Sequence, residues 1–282
     1  MSRSIAVSAP LCNPVDSKTA SRVLTALGGI PVLILVIGWG EWWHFSLLIF
    51  LVTAAALFEY FIMAFRERCL ERLLGILLGL LLSLGALIPE LPGGLPWVGI
   101  VIVSTFSTFL FLGGTLEKRY ERLGCTLLGM LYIGYLMPHA VLLYSFPDGR
   151  RWVFFLLLVI MIGDTAAYAV GRLFGKRKLW PEISPGKTIE GAFGSTASSL
   201  MAGLVGGRLL LPGISWLEVF LLSLMLNLLG QIGDLFESWI KRVFSVKDSG
   251  ILLPGHGGFL DRTDSLIFPL VFATYYVRFF HP

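Results

Sequence analysis

Charge is what this sequence has least of. Asp, Glu, Lys and Arg make up only 14% of its 282 residues, whereas 56% are hydrophobic and mean hydropathy is +0.80. A water-soluble domain carries about 25% charged residues, so this chain lacks the means to cover itself in water. Cysteine is scarce as well. Cys12, Cys69 and Cys125 stand far apart without CxxC spacing, which argues against a zinc cluster, and their odd number argues against a disulfide framework. They read as small apolar filler. The net charge of +4 is modest and fits basic cytoplasmic loops better than a nucleic-acid partner. A cleavable secretory signal is missing too. The leader, residues 1–22, is polar, with Arg3, Asp16, Lys18 and Arg22, and long apolar runs follow it in place of a soluble body. It reads as a cytoplasmic tail or a short surface helix.

What is abundant is hydrophobic length. A bilayer-spanning helix needs about 20 largely apolar residues. Nine stretches qualify: 23–39, 45–64, 73–89, 96–114, 123–143, 152–173, 188–211, 215–240 and 265–281. The connections are short, and no linker, composition shift or internal repeat divides the chain. The expectation is an all-α, polytopic transmembrane bundle of about nine spans forming a single integral membrane domain over 1–282, because a lipid-embedded backbone must satisfy its own hydrogen bonds. Basic residues cluster after even-numbered spans: Arg66, Arg68 and Arg72; Lys118, Arg119 and Arg122; Arg172, Lys176, Arg177, Lys178 and Lys187; Lys241, Arg242, Lys247 and Arg262. Arg150 and Arg151, after the fifth, dissent. The positive-inside rule then puts the N-terminus and these loops in the cytoplasm.

Polar groups inside spans are costly and mark function. In the eighth span Asn227, Gln231, Asp234, Ser238 and Lys241 recur at steps of three and four, forming one helical stripe with Glu237 beside it. By itself the stripe could be a polar seam joining helices or a solvated helix end. It runs, however, into Lys247-Asp248-Ser249-Gly250 and then Pro254-Gly255-His256-Gly257-Gly258-Phe259-Leu260-Asp261-Arg262-Thr263-Asp264. Glycines let backbone approach a ligand, and exposed N–H groups can cradle phosphate oxygens. Lys and Arg supply the positive charge a triphosphate requires. Asp234, Asp261 and Asp264 are oxygen ligands of the kind Mg²⁺ prefers.

The run from Ser238 to Asp264 resembles the signature of the phosphatidate cytidylyltransferases, or CDP-diacylglycerol synthases: Ser238, Lys241-Arg242, Lys247-Asp248, Gly250, His256-Gly257-Gly258, Asp261-Arg262 and Asp264, without departure. Two further blocks are similar to the same family: Gly163-Asp164-Thr165-Ala166-Ala167-Tyr168 with Gly171-Arg172 and Gly175-Lys176, and Ser184-Pro185-Gly186-Lys187-Thr188 with Glu190-Gly191. Gly186 stands where members often carry a second lysine, which puts one phosphate contact in doubt; Ser184-Pro185 could also simply start a helix. Glu59 in the second span has a counterpart in many members, either as a satisfied buried carboxylate or as a catalytic one. The resemblance is sharp from about residue 160, so 160–264 carries the motifs.

What the resemblance implies is transfer of a cytidylyl group from CTP to phosphatidic acid, giving CDP-diacylglycerol and pyrophosphate, in a bacterial inner membrane with the site facing the cytoplasm. On that reading Asp234, Lys241, Asp261 and Asp264 are catalytic, and Asp234 and Asp261 hold Mg²⁺. Asp164, Lys187, Thr188, Glu190, Ser238, Arg242, Lys247, His256, Gly257, Gly258 and Arg262 surround the substrates. The attacking phosphate oxygen is already ionised, so positioning and charge stabilisation are what the reaction demands. The resemblance also implies a homodimer, with no residues to assign to its interface. His44, His139 and His281 read as interface anchors. Two other functions remain: a CTP-dependent polyprenol or diacylglycerol kinase, and a transporter, against which the missing repeat and the clustering of polar residues at one mouth both count.

Overall fold

The computed structural model describes residue 29 and residues 31–87, 95–250, 252 and 257–281. The polar leader with Cys12, the start of the first expected span, and His256 lie outside the described residues. Residues 31–39 are helical, here α1. They are followed by α2 (Trp42–Ala64), α3 (Cys69–Leu87), α4 (Leu95–Phe111) and α5 (Leu116–Gly129). From α5 a π-helical turn, Met130–Tyr135, leads into α6 (His139–Ser145). Then come α7 (Gly149–Phe174), β1 (Lys178–Trp180), β2 (Ser184–Thr188), α8 (Ile189–Leu210), α9 (Trp216–Val243) and α10 (Leu260–Phe280).

Five of these segments are long and apolar enough to cross a membrane: Trp42–Ala64, Cys69–Ala86, Leu116–Ser145, Gly149–Phe174 and Trp216–Val243. The chain is a polytopic helical membrane protein, and the described residues carry five such spans where nine are expected from hydropathy. The differences have physical causes. At 17 residues α4 rises only about 26 Å, short of a ~30 Å hydrocarbon core. The 22 residues of α8 are diluted by Gly and Ser, and its Ser195, Ser199 and Gly203 are buried against protein. α10 opens with Asp261, Arg262 and Asp264 and carries Pro269 inside. On α8 and α10 the small and polar residues Ser195, Ser199, Asp264 and Ser265 are buried against protein, so they need not match lipid.

The β-hairpin is unexpected. Its strands run antiparallel, Lys178 opposite Thr188 and Trp180 opposite Ser184. Ser184-Pro185 therefore lies in a strand and does not start a helix. The helix starts at Ile189, where Thr188 Oγ1 accepts from Gly191 N at 3.1 Å. α7 and α8 then approach closely through small residues, and a Cβ on Gly191 would lie 2.8 Å from the Ala167 carbonyl oxygen.

Two apolar clusters hold the bundle. One gathers Phe45, Tyr144, Trp152, Phe155, Leu222 and Val277 from α2, α6, α7, α9 and α10. The other joins Tyr60 and Phe61 of α2 to Leu82, Met130, Ile133, Ile240 and Leu260. Leu47, Leu51 and Phe58 on α2 and Met201, Val205 and Leu209 on α8 are exposed, as lipid-facing side chains are. At one end of the bundle Arg66 Nη2 donates to Phe244 O at 3.0 Å, which brings the connection after α2 to the C-terminus of α9. At the other, Arg150 donates to Gly38 O, Gly40 O and the Tyr144 hydroxyl, and Arg151 pairs with Asp148 at 3.1 Å. Arg150 thus engages carbonyls at the C-terminus of α1, where a cation is favoured. Its charge is used locally and need not count in the topology.

The three described histidines make structural contacts. Glu41 N donates to His44 Nδ1 at 3.1 Å, and the His44 ring stacks on Trp43. His281 Nε2 contacts Glu218, which also accepts from Tyr276. His139 is buried, with Nδ1 3.0 Å from both Tyr135 O and Leu136 O, so it is a core residue and not an interface anchor.

Candidate active site

The polar stripe of α9 divides into two parts. In the deeper part, Asn227 Nδ2 donates to Ser195 Oγ and Ser199 Oγ, both at 2.8 Å. Its Oδ1 accepts from Thr196 Oγ1 at 3.0 Å and from Gln231 Nε2 at 2.7 Å. This closed network ties α9 to α8 and is the helix-joining seam. One to two turns further on, the stripe opens into a cavity of about 600 Å³ walled by α7, the β-hairpin, the start of α8, α9 and the start of α10. Small-molecule sites have about this size (~300–1,000 Å³).

The cavity wall carries opposite charges in contact. Lys187 Nζ, from β2, lies 2.7 Å from Asp234 Oδ2 of α9. Lys241 Nζ lies 2.7 Å from Asp261 Oδ1 of α10. Lys241 also sits against Glu237, which is fully buried and within reach of the Asp261 carboxylate as well. Asp164 on α7 accepts from Ser265 Oγ at 2.9 Å. Asp164 and Asp264 both lie within electrostatic range of Asp234. Two acidic groups thus lie near Asp234 on the cavity lining, and like charges held together favour the arrival of a cation. Arg172 and Arg262 complete the lining with positive charge.

Asp261 is the most constrained of the carboxylates. Its Oδ2 accepts from Ser249 N at 3.0 Å and Gly258 N at 2.9 Å, while Oδ1 takes Lys241. Burial acts to raise the Asp261 carboxyl, but the Lys241 ammonium and the two N–H groups outweigh it and hold the group below the usual carboxylate range. Gly257 has φ +85°, a left-handed conformation that suits glycine, and a Cβ there would approach Asp261 Oδ2 to 2.9 Å.

Residues 20–280 match the profile of the cytidylyltransferase family. This chain belongs to that family. Among relatives of the cytidylyltransferase family, the phosphatidate cytidylyltransferase of Bacillus subtilis (strain 168) is 34% identical over 273 residues, covering 94% of this chain and 99% of its own. That of Staphylococcus aureus (strain COL) is 37% identical over 199 residues, 67% of this chain and 74% of its own. That of Staphylococcus epidermidis (strain RP62A) is 49% identical over 123 residues, 44% of this chain and 47% of its own.

In this cytidylyltransferase-family chain the cavity brings together Asp164, Lys187, Thr188, Asp234, Lys241, Asp261, Arg262 and Asp264. Five other expected substrate residues do not line it, nor does Gly257. Glu190 accepts from Lys176 N and Arg177 N, fastening the turn before the hairpin. Arg242 donates to Ile183 O and Val246 O, both at 3.0 Å, and so braces two loops. Ser238 is buried without lining the cavity, Lys247 is exposed, and the Gly258 N–H is spent on Asp261. The phosphate cradle expected of Gly257-Gly258 is thus in part an internal bond. Sequence reasoning also passed over Ser249 and Ser265, whose hydroxyls orient acidic groups of the site; each stands next to a motif position, Ser249 before Gly250 and Ser265 after Asp264.

Among the described residues no group of three or more His, Cys, Asp or Glu is gathered tightly enough to hold a metal by itself. Mg²⁺ asks for less: one or two carboxylates, with waters and substrate phosphates completing the shell. Asp234 and Asp264, both on the cavity lining, offer that number of carboxylates.

Proposed function

We propose that this chain transfers the cytidylyl group of CTP to phosphatidate, releasing pyrophosphate and leaving CDP-diacylglycerol, in the cavity between α7, α9 and α10. The observation that carries the reading is the pairing of Lys187 with Asp234 and Lys241 with Asp261, contributed by the Ser184–Gly191 block, the α9 stripe and the Ser238–Asp264 run. A phosphatidate oxygen attacks the α-phosphorus of CTP, a new P–O bond forms, and the bond from that phosphorus to the β-phosphate oxygen breaks. The attacking oxygen carries no proton at neutral pH, so no general base is required. What the residues supply is approach and charge: Lys187, Lys241, Arg172 and Arg262 draw two polyanions into one site and stabilise the charge that builds on the leaving pyrophosphate.

Mg²⁺ would be held by Asp234 together with Asp264, supplying neutralisation of the triphosphate. The pairing of Asp234 with Asp261 read from sequence is less apt, since both Asp261 oxygens already serve Lys241, Ser249 and Gly258. Asp261 is better cast as the group that aims Lys241. Asp164 and Thr188 complete the nucleotide side of the cavity, and Arg242, Glu190 and Ser238 support its walls. Lys247, Gly257 and Gly258 belong to the loop bordering it, and His256 is assigned to the substrates by the family resemblance alone.

The basic connections, together with the Arg66–Phe244 contact, support a cytoplasmic mouth in a bacterial inner membrane, with an N-terminus on the same side and about nine membrane-embedded helices acting as one domain. A homodimer follows from the family resemblance and is checked by the mass of the detergent-solubilised particle. The test of function uses phosphatidate with CTP labelled at either the α- or the γ-phosphate. The α-label should enter the lipid and the γ-label should leave as pyrophosphate. Entry of the γ-label into diacylglycerol or polyprenol would make the protein a kinase and overturn the proposal.

A further inference from the structure

Glu59 lies on α2, 190 residues before the loop it touches, and is only 2% exposed. Its Oε1 accepts from Phe259 N at 3.1 Å; its Oε2 accepts from Leu260 N at 3.0 Å and from Ser249 Oγ at 3.1 Å. α10 has no cap from its own N-cap side chain, so Glu59 caps it from another helix. The contacts continue. Ser249 Oγ accepts from Asp261 N at 3.3 Å, Ser249 N donates to Asp261 Oδ2, and Asp261 Oδ1 holds Lys241. A chain of contacts thus runs from Glu59, which does not line the cavity, to the lysine that does.

Glu59 also accounts for two glycines. A Cβ on Gly250 would stand 2.6 Å from Glu59 Oε1, and one on Gly258 would stand 2.3 Å from Oε2. Neither glycine has positive φ, so it is not backbone conformation that excludes a side chain there but the carboxylate, joined at Gly258 by Ser249 Oγ at 2.1 Å.

We propose that Glu59 is a positioning residue for the transfer reaction: it clamps Ser249 and the start of α10 against α2, so that Asp261 presents Lys241 to the substrate phosphates. The proposal rests on the cytidylyl-transfer reading, and wild-type transfer of α-label tests that reading first, independently of Glu59. Glu59→Gln keeps the size of the side chain but turns one acceptor into a donor facing other donors. Its kcat should fall about 100-fold, the loss expected when a reacting group is displaced by about 1 Å. The KM for CTP should stay within about threefold, because no cavity-lining group is removed, and the melting temperature in detergent within a few degrees. Gly250→Ala should lower kcat from the other side of the contact, and Glu59→Asp, which draws the carboxylate back by one methylene, should restore about tenfold of that loss in the double variant. Wild-type kcat in Glu59→Gln, or a loss of kcat matched by KM and melting temperature together, would overturn the proposal. If Glu59→Gln fails to fold, the pair decides: rescue supports the clamp, and losses that simply multiply overturn it.

Discussion

The two parts of the α9 stripe are built from the same helical repeat and do opposite things. The Asn227 amide spends both its nitrogen and its oxygen on partners from α8 and α9, and only Ser195 and Gln231 at the edge of its network reach the cavity. Around Asp234 and Lys241 the groups are charged, paired across elements, and open to a cavity. Polarity inside a membrane bundle is therefore no sign of function in itself. What separates a seam from a site is whether its hydrogen-bonding capacity is already consumed within the protein.

That contrast can be broken most directly at the charged end. Asp234→Asn and Asp261→Asn should each lower kcat by about 10³-fold or more while the protein still elutes from detergent as a folded particle. Near-normal α-label transfer in either would remove that residue from the site. Lys241→Ala follows with a loss of about 10²-fold, the usual scale for one preorganised electrostatic stabiliser; a loss appearing only in KM would mean that Lys241 binds ground state and transition state alike. Asn227→Leu tests the seam. It should lower stability by about 1–2 kcal/mol, as expected for interhelical hydrogen bonds in lipid, and leave kcat within about threefold. A kcat loss as large as that of Lys241→Ala would merge the two parts. The smallest effect is one of pH. Because the folded Asp261 carboxyl is held below its ordinary 3.8, its contribution to stability is complete above that value and is lost only as pH falls through the lower folded value. The difference in melting temperature between wild type and Asp261→Asn should therefore be flat from about pH 8 to pH 5, and a slope across that window would contradict the Lys241 pairing.

Much of this was legible before the fold. The stripe follows from steps of three and four, the membrane class from the scarcity of charge, and the family from the run Ser238–Asp264. The count of long spans was not, because α8 and α10 bury small and polar residues against protein, and these dilute the hydropathy that counting relies on. The hairpin was hidden because Lys178–Trp180 and Ser184–Thr188 are too short to show a period. Gly258, Arg242 and Glu190 look like phosphate contacts in a linear motif, yet each is engaged within this chain, Gly258 by the Asp261 carboxylate and the other two by backbone groups.

The sequence by itself determined the environment, the helical periodicities and the chemistry of the motif residues, since these depend on side-chain type and local spacing. Only the tertiary structure decided which of those residues are free to meet a substrate and which are committed to holding the site. Glu59 bonds to groups 190 to 201 residues away, and Asp164 to one 101 residues away. A hydrogen bond is satisfied by proximity in space, and no local pattern records what the fold will bring beside it.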